Sequence, residues 1–181
     1  MVSSLVPPHD LQLVIDFVNT LDVEGETDSI ADAGALRGWL RERGLLGADA
    51  SELARGQVTE AHRLREALRA ALRAHTRGES EDGAALERAA ERGRLSVSFG
   101  DGGAVRISAR GSGFDGALAG LLVPAAHAAL DGTWRRVKAC DDDGCLEAFY
   151  DHSRNRTGRW CDMAVCGNRT KVRAYRAKRD R

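Results

Sequence analysis

Apolar positions recur at helical spacing through most of the first 130 residues. Leu11, Val14, Ile15, Val18 and Leu21 mark an amphipathic helix. The run is rich in β-branched residues, so a buried strand is the alternative. Residues 22–29 are polar and contain Gly25, which predicts a loop. Residues 31–43 read as a helix with Leu36, Trp39 and Leu40 inward, stopped near Gly44. Asp49 with Glu52 three residues on resembles a capping box and opens a long helix over 51–75. Its apolar stripe is Leu64, Leu68, Ala71, Leu72 and His75, and Arg63, Arg65, Arg69 and Arg73 fall largely off that stripe. A shorter helix follows over 83–91. The period then changes to two. Residues 95–99 and 104–108 alternate, and Gly100-Asp101-Gly102-Gly103 between them is a hairpin turn. Residues 114–130 return to an apolar helix, with Pro124 expected as a kink or break. Asp131-Gly132-Thr133 closes this unit. The pattern predicts a mainly α protein with small β-hairpins (α+β), a helical N-terminal domain over 1–132 and a distinct module over 133–181.

All four cysteines lie in that module, as C-x4-C, fifteen residues, then C-x4-C: Cys140, Cys145, Cys161 and Cys166. Two close pairs bring four thiolates together at little loop-closure cost, and four thiolates suit tetrahedral zinc. Four ligands close the coordination sphere, so this zinc, one per chain, is expected to be structural. Two disulfides are the alternative, disfavoured in a reducing compartment. His152 is the nearby alternative ligand, more simply read as solvated or hydrogen-bonded. Residues 137–139 predict a short strand running into a turn that carries Cys140 and Cys145, with Asp143-Gly144 as turn chemistry. Residues 148–151 return as a second strand. Cys161 precedes the terminal helix and Cys166 falls in its first turn, where backbone N–H groups can donate to the sulfurs. The layout resembles a treble clef.

Charge changes the picture next. The chain is neutral, yet residues 134–181 hold 13 Lys+Arg against 7 Asp+Glu, and the remainder holds 14 against 20. A sign change of this kind suggests a nucleic-acid-binding end. On a helix over 163–179, Arg169, Arg173 and Arg176 share a face. Val165, Val172 and Tyr175 form an adjacent apolar stripe expected to pack on the hairpin, and Lys171 and Lys178 point away. Arg154, Arg156 and Arg159 flank the site and complete a candidate surface for double-stranded DNA. A solvated charged helix and a protein- or RNA-binding module are the rivals. Asn168 is expected as a structural hydrogen-bonder, Gly167 as a point of close packing beside the metal, and Trp160 as cover for it.

Residues 1–132 show no catalytic constellation. His62 and His75 are poorly spaced as ligands, and no Gly-rich phosphate loop or G-x-S-x-G is present, so the expectation is a non-enzyme. Asp16, Asn19 and Asp22, at i, i+3 and i+6, form either one exposed face or the lining of a polar pocket. The pocket would revive an enzyme reading or admit a small-molecule effector. The unit is expected to sense such an effector or to homodimerise. No run of about 18 apolar residues points to a membrane span, and residues 1–10 do not read as a leader. The expected location is the cytoplasm, at the nucleoid.

Cys166-Gly167-Asn168-Arg169, with Arg136-Val137-Lys138, Phe149-Tyr150-Asp151, Ser153-Arg154-Asn155, Arg159-Trp160-Cys161, Met163, Ala164 and Lys171-Val172-Arg173, resembles the CGNR-type zinc finger. Asp16-Phe17-Val18-Asn19-Thr20 is similar to the opening of the ABATE domain that precedes this finger. The resemblance covers nearly the whole chain. It implies a stress-induced transcription regulator: DNA binding by the finger, with regulation.

Overall fold

The computed structural model describes residues 7–80 and 82–179. Residues 1–6, on which part of the leader reading rests, lie outside the described residues, as does Arg181 of the basic tail. The organising element is the long helix α3 (Arg55–Arg77). Helices α1 (Leu11–Val18), α2 (Ala33–Glu42), α4 (Ala84–Arg92) and α5 (Gly113–Leu130) gather round it. Leu64, Leu68 and Leu72 of α3 meet Leu11, Val14 and Val18 of α1, Leu36 and Leu40 of α2, and Leu118 and Leu121 of α5 in one continuous core. Each fully buried Leu or Val contributes about 1.5–3 kcal/mol relative to exposure.

Local chemistry sets the helix ends. Asp32 caps α2 by accepting the Ala35 N–H at 2.9 Å, and Gly44 ends it at a φ of 68°. The long helix starts later than the sequence suggests. Asp49 is not its cap; residues 51–54 lie outside any helix, Leu53 packs on the core, and the Gln57 side chain takes the Ala54 N–H at 2.8 Å. Pro124 neither ends nor interrupts α5, which continues to Leu130 with the proline ring buried. By length and composition alone α5 would suffice to cross a membrane. Here it is a core helix, with Phe114, Leu118, Leu121 and Leu122 buried.

The strands form three separate antiparallel pairs. β1 (Leu21–Asp22) pairs with β2 (Thr27–Asp28) where only a polar loop was expected. β3 (Leu95–Phe99) pairs with β4 (Val105–Ala109), with Phe99 opposite Val105. β5 (Val137–Ala139) pairs with β6 (Ala148–Tyr150), with Ala139 opposite Ala148. Val137, Ala139 and Ala148 are buried in the same core as the N-terminal helices. The last hairpin is therefore built into the first unit.

Two arginines of α3 run against the expected polar face. Arg65 and Arg69 are buried. Arg65 holds Asp28 with two 2.8 Å hydrogen bonds and reaches Thr20. Arg69 donates to the carbonyls of Val18 at 2.8 Å, Leu21 at 3.3 Å and Leu146 at 3.1 Å. A guanidinium can satisfy several carbonyls at once from one planar fork. That explains how arginines outside the apolar stripe can be buried.

Candidate metal centre and nucleic-acid interface

Cys140 follows β5 and Cys145 precedes β6, so the hairpin loop carries the first thiol pair. Asp142 builds this loop. Its carboxylate accepts the Gly144 N–H at 3.1 Å, and its carbonyl accepts the Cys145 N–H at 2.9 Å. Asp143 and Gly144 lie in the turn, as expected, and the exposed Asp143 side chain pairs with Arg73. Cys161 precedes a π-turn (Met163–Gly167) that contains Cys166 and leads into α6 (Asn168–Arg179). Asp162 takes the Ala164 and Val165 N–H groups at 2.6 and 3.1 Å. The donors at the helix start thus go to this carboxylate.

The four sulfurs lie within 4.8 Å of one another, with Cys145 to Cys161 at 3.6 Å and Cys161 to Cys166 at 3.8 Å. A tetrahedral ion with Zn–S bonds of about 2.3 Å requires S···S edges of about 3.8 Å. The set fits zinc, and four sulfurs fill the tetrahedron. The cysteines are free thiols at separations far beyond the about 2.05 Å of a disulfide. Burial pushes the Cys145 thiol up to about 12 and also raises Cys161 and Cys166. Metal binding must therefore displace protons from this site. Trp160 packs against the thiols, as expected. A Cβ at Gly167 would stand 2.6 Å from Sδ of Met163, a flexible side chain 54% exposed that would have to move aside. His152 lies against the Tyr150 ring, apart from the cluster. Asn168 is exposed and makes no side-chain hydrogen bond among the described residues, unlike the structural role expected of it.

Lys138 and Asp151 order the loop between the thiol pairs. Both are buried and meet at 2.7 Å. Lys138 also donates to the carbonyls of Arg156 and Gly158, and Asp151 accepts the N–H groups of Ser153 and Gly158. Burial alone would raise the Asp151 pKa, but Lys138 and these N–H donors hold it well below the usual carboxylate range. A Cβ at Gly158 would meet the Asp151 carboxyl at 2.8 Å.

The candidate DNA-binding arginines do not form one free surface. Arg169 reaches Glu24 at 2.9 Å and Asp142 Oδ2 at 3.2 Å, and Arg173 reaches Asp142 Oδ1 at 2.9 Å. Asp142 Oδ2 has no aligned hydrogen bond, so its contact with Arg169 is Coulombic rather than directional. Burial raises the Asp142 pKa, but the Gly144 N–H, Arg173 and Arg169 together bring it below its ordinary value. Arg169 also lies 4.0 Å from the Cys166 sulfur, where its charge offsets thiolate. Arg159 pairs with Asp141, as does Arg77, and lies over the Trp160 ring. Arg156 touches the Gly132 carbonyl at 3.4 Å. Arg154 and Arg176 are exposed and lack an ion-pair partner among the described residues. No side chain of α6 is buried. Val165, Val172 and Tyr175 are 53%, 40% and 65% exposed and do not pack on the hairpin. The arginine face takes the inner side instead, because Asp142 is buried beneath it.

Asp16, Asn19 and Asp22 also part company. Asn19 donates to and accepts from Ala148 of β6, at 2.9 and 2.7 Å. Asp22 accepts the Gly25 N–H, and Asp16 is bonded to Gln12. Asn19 and Asp22, with Leu21, Glu24, Cys145 and Glu147, line a cavity of about 350 Å³ beside the thiols, and Asp16 is not among its lining residues. The sequence reading missed Asp142, Lys138, Asp151 and Arg69. A Lys inside a strand of an otherwise buried hairpin was the available signal for Lys138.

Two family models match in sequence order. One, described as ABATE, "Putative stress-induced transcription regulator", covers residues 11–132. The other, CGNR zinc finger, covers residues 136–179. No curated protein matches the chain.

Proposed function

The chain belongs to the ABATE family and ends in a CGNR zinc finger, and from that premise we propose that it is a DNA-binding transcription regulator. In this reading one structural zinc, held by Cys140, Cys145, Cys161 and Cys166, sets the direction of the basic helix α6, which meets duplex DNA. The observation that carries it is the composition of α6 in its setting. Of twelve residues, six are basic and none is acidic, and no residue of the helix is buried. A helix of that kind gains little from the fold and much from phosphate.

The cavity beside Cys145 is the place for a small-molecule effector. Two of its three carboxylates have structural partners, Asp22 in Gly25 and Glu24 in Arg169. That leaves Glu147 without a second uncommitted carboxylate in the cavity to complete an acid–base pair, and we read the chain as a non-enzyme. Free thiols and a metal centre suit a cytoplasmic, nucleoid-associated protein. A protein-interaction role is favoured by one observation: Phe99 is 82% exposed, with Val97 and Val105 beside it on the β3–β4 tip. That patch is where homodimerisation would act.

Gel shifts of the zinc-loaded chain on duplex DNA, with double- and single-stranded RNA as competitors, test the reading. The expected result is a duplex-DNA complex that RNA displaces poorly and added salt weakens steeply. Failure to shift duplex DNA at low salt would remove DNA from the reading and leave the exposed hairpin tip as the candidate interaction site.

A further inference from the structure

We infer that the face of α6 carrying Lys171, Tyr175 and Lys178 meets DNA, and that the Arg169–Arg173 face is an internal anchor. The inference rests on the DNA-binding reading above and specifies which side of the helix does the work. Lys171, Tyr175 and Lys178 stand at i, i+4 and i+7, as do Arg169, Arg173 and Arg176. The two triplets are offset by two residues, and at about 100° per residue they lie roughly opposite each other.

The inner triplet is largely committed. Arg169 and Arg173 both meet Asp142, whose side chain is fully buried, and Arg169 also holds Glu24. A phosphate that took these guanidinium groups would leave a buried carboxylate without its cations, a costly state. Thr170, on that side, is half-buried and bonded to the Cys166 carbonyl at 2.9 Å. The outer triplet is free. Lys171 and Lys178 are exposed with no ion-pair partner among the described residues, and Tyr175 between them is 65% exposed. Val172, 40% exposed, borders it. Two cations flanking an exposed ring and a branched aliphatic group match a groove that offers phosphates at its rim and apolar base edges, such as thymine methyl groups, inside.

The test uses the full zinc-loaded chain and a labelled random-sequence duplex, read by anisotropy across a salt series. Lys171→Ala/Lys178→Ala should lower the log–log salt slope by about 2, with zinc content and melting temperature unchanged. Arg169→Ala/Arg173→Ala removes the same charge and should lower the melting temperature while changing the slope by less than 1. Should the arginine pair fail to fold, the lysine pair decides alone. A lysine variant that keeps the wild-type slope overturns the inference. Equal slope losses in both pairs also overturn it, because they would show a diffuse charge effect with no oriented face. In either case wild-type binding would remain and the DNA reading would stand. Wild-type protein that does not bind duplex at low salt would end both.

Discussion

The two halves of the metal module supply two thiols each and are held in opposite ways. The hairpin half is part of the N-terminal core. Val137, Ala139 and Ala148 are buried in it, His75 bonds the Val137 carbonyl at 2.8 Å, and Thr76 donates to the Ala139 carbonyl at 2.6 Å. Asn19 bridges both polar groups of Ala148, and Arg69 holds the Leu146 carbonyl. The helical half buries Cys166 and Gly167 beside the metal and nothing beyond them. A twelve-residue helix is marginal on its own in water. The thiols and Asp142 therefore fix α6, while the core fixes the hairpin. The metal site is the joint between a rigid body and an arm. This seam makes the boundary near residue 132 a boundary of family and sequence pattern across which packing is continuous.

Zinc removal probes that joint most severely. Structural zinc is worth about 10–16 kcal/mol of apparent binding near neutral pH, comparable with or above the whole stability of a typical domain at about 5–15 kcal/mol. Were the module a separate appendage, chelation would melt it alone. The shared core predicts that the N-terminal unit weakens too. Trp39 lies in that core, and Trp160 lies beside the thiols. In a Trp134→Phe/Trp160→Phe chain, Trp39 fluorescence should report a lower melting temperature after chelation. An unshifted Trp39 transition alongside loss of helical circular dichroism would show that the two regions are independent.

Next in size is the seam itself. Arg69 is buried and holds three carbonyls, two from the N-terminal unit and one from the metal hairpin. Arg69→Ala leaves those carbonyls short of donors and should cost about 3–5 kcal/mol in urea unfolding, the range for breaking a buried charged contact. Arg176→Ala, on the exposed arm, should stay within about 0.5 kcal/mol. Similar costs for the two would erase the distinction between body and arm.

Legibility in the sequence follows the same division. Periodicity located the helices, because their stripes face one core, and cysteine spacing located the metal site, because ligands must converge. The hairpin at 95–109 followed from alternation and a glycine turn, but its second strand begins one residue later than the pattern suggests, at Val105, so the register was not legible. Partners distant in sequence were not legible. Arg65 and Arg69 look like solvent-facing residues on a helical wheel until Asp28 and the chain around residues 18–21 and 146 fold against them. Asp142 stands between two other aspartates, and only the tertiary fold shows that it alone is buried beneath two arginines. The apolar side of α6 was read as core because exposed Val and Tyr on a short helix are indistinguishable by pattern from buried ones. Asn19 does line the cavity beside the thiols, one of the two readings its spacing left open, but nothing local shows that it also bonds both polar groups of Ala148, over a hundred residues away.

The smallest effect concerns the direct polar tie between the N-terminal unit and the arm. Among the described residues, that tie is Glu24 to Arg169 at 2.9 Å. Its strength can be bounded before measurement. Glu24 has a side chain 57% exposed, so water and salt screen the pair, and exposed pairs contribute about 0–1 kcal/mol. Arg169 would retain Asp142 if Glu24 were lost. Glu24→Gln should therefore shift urea unfolding by no more than about 1 kcal/mol, and the shift should vanish in high salt. Asp142→Asn should cost more, because it strips both arginines of their shared buried partner and disturbs the thiol loop. If Glu24→Gln instead proves as damaging as Asp142→Asn, the arm would be held from the N-terminal loop rather than from the metal hairpin, and the joint would have to be placed there.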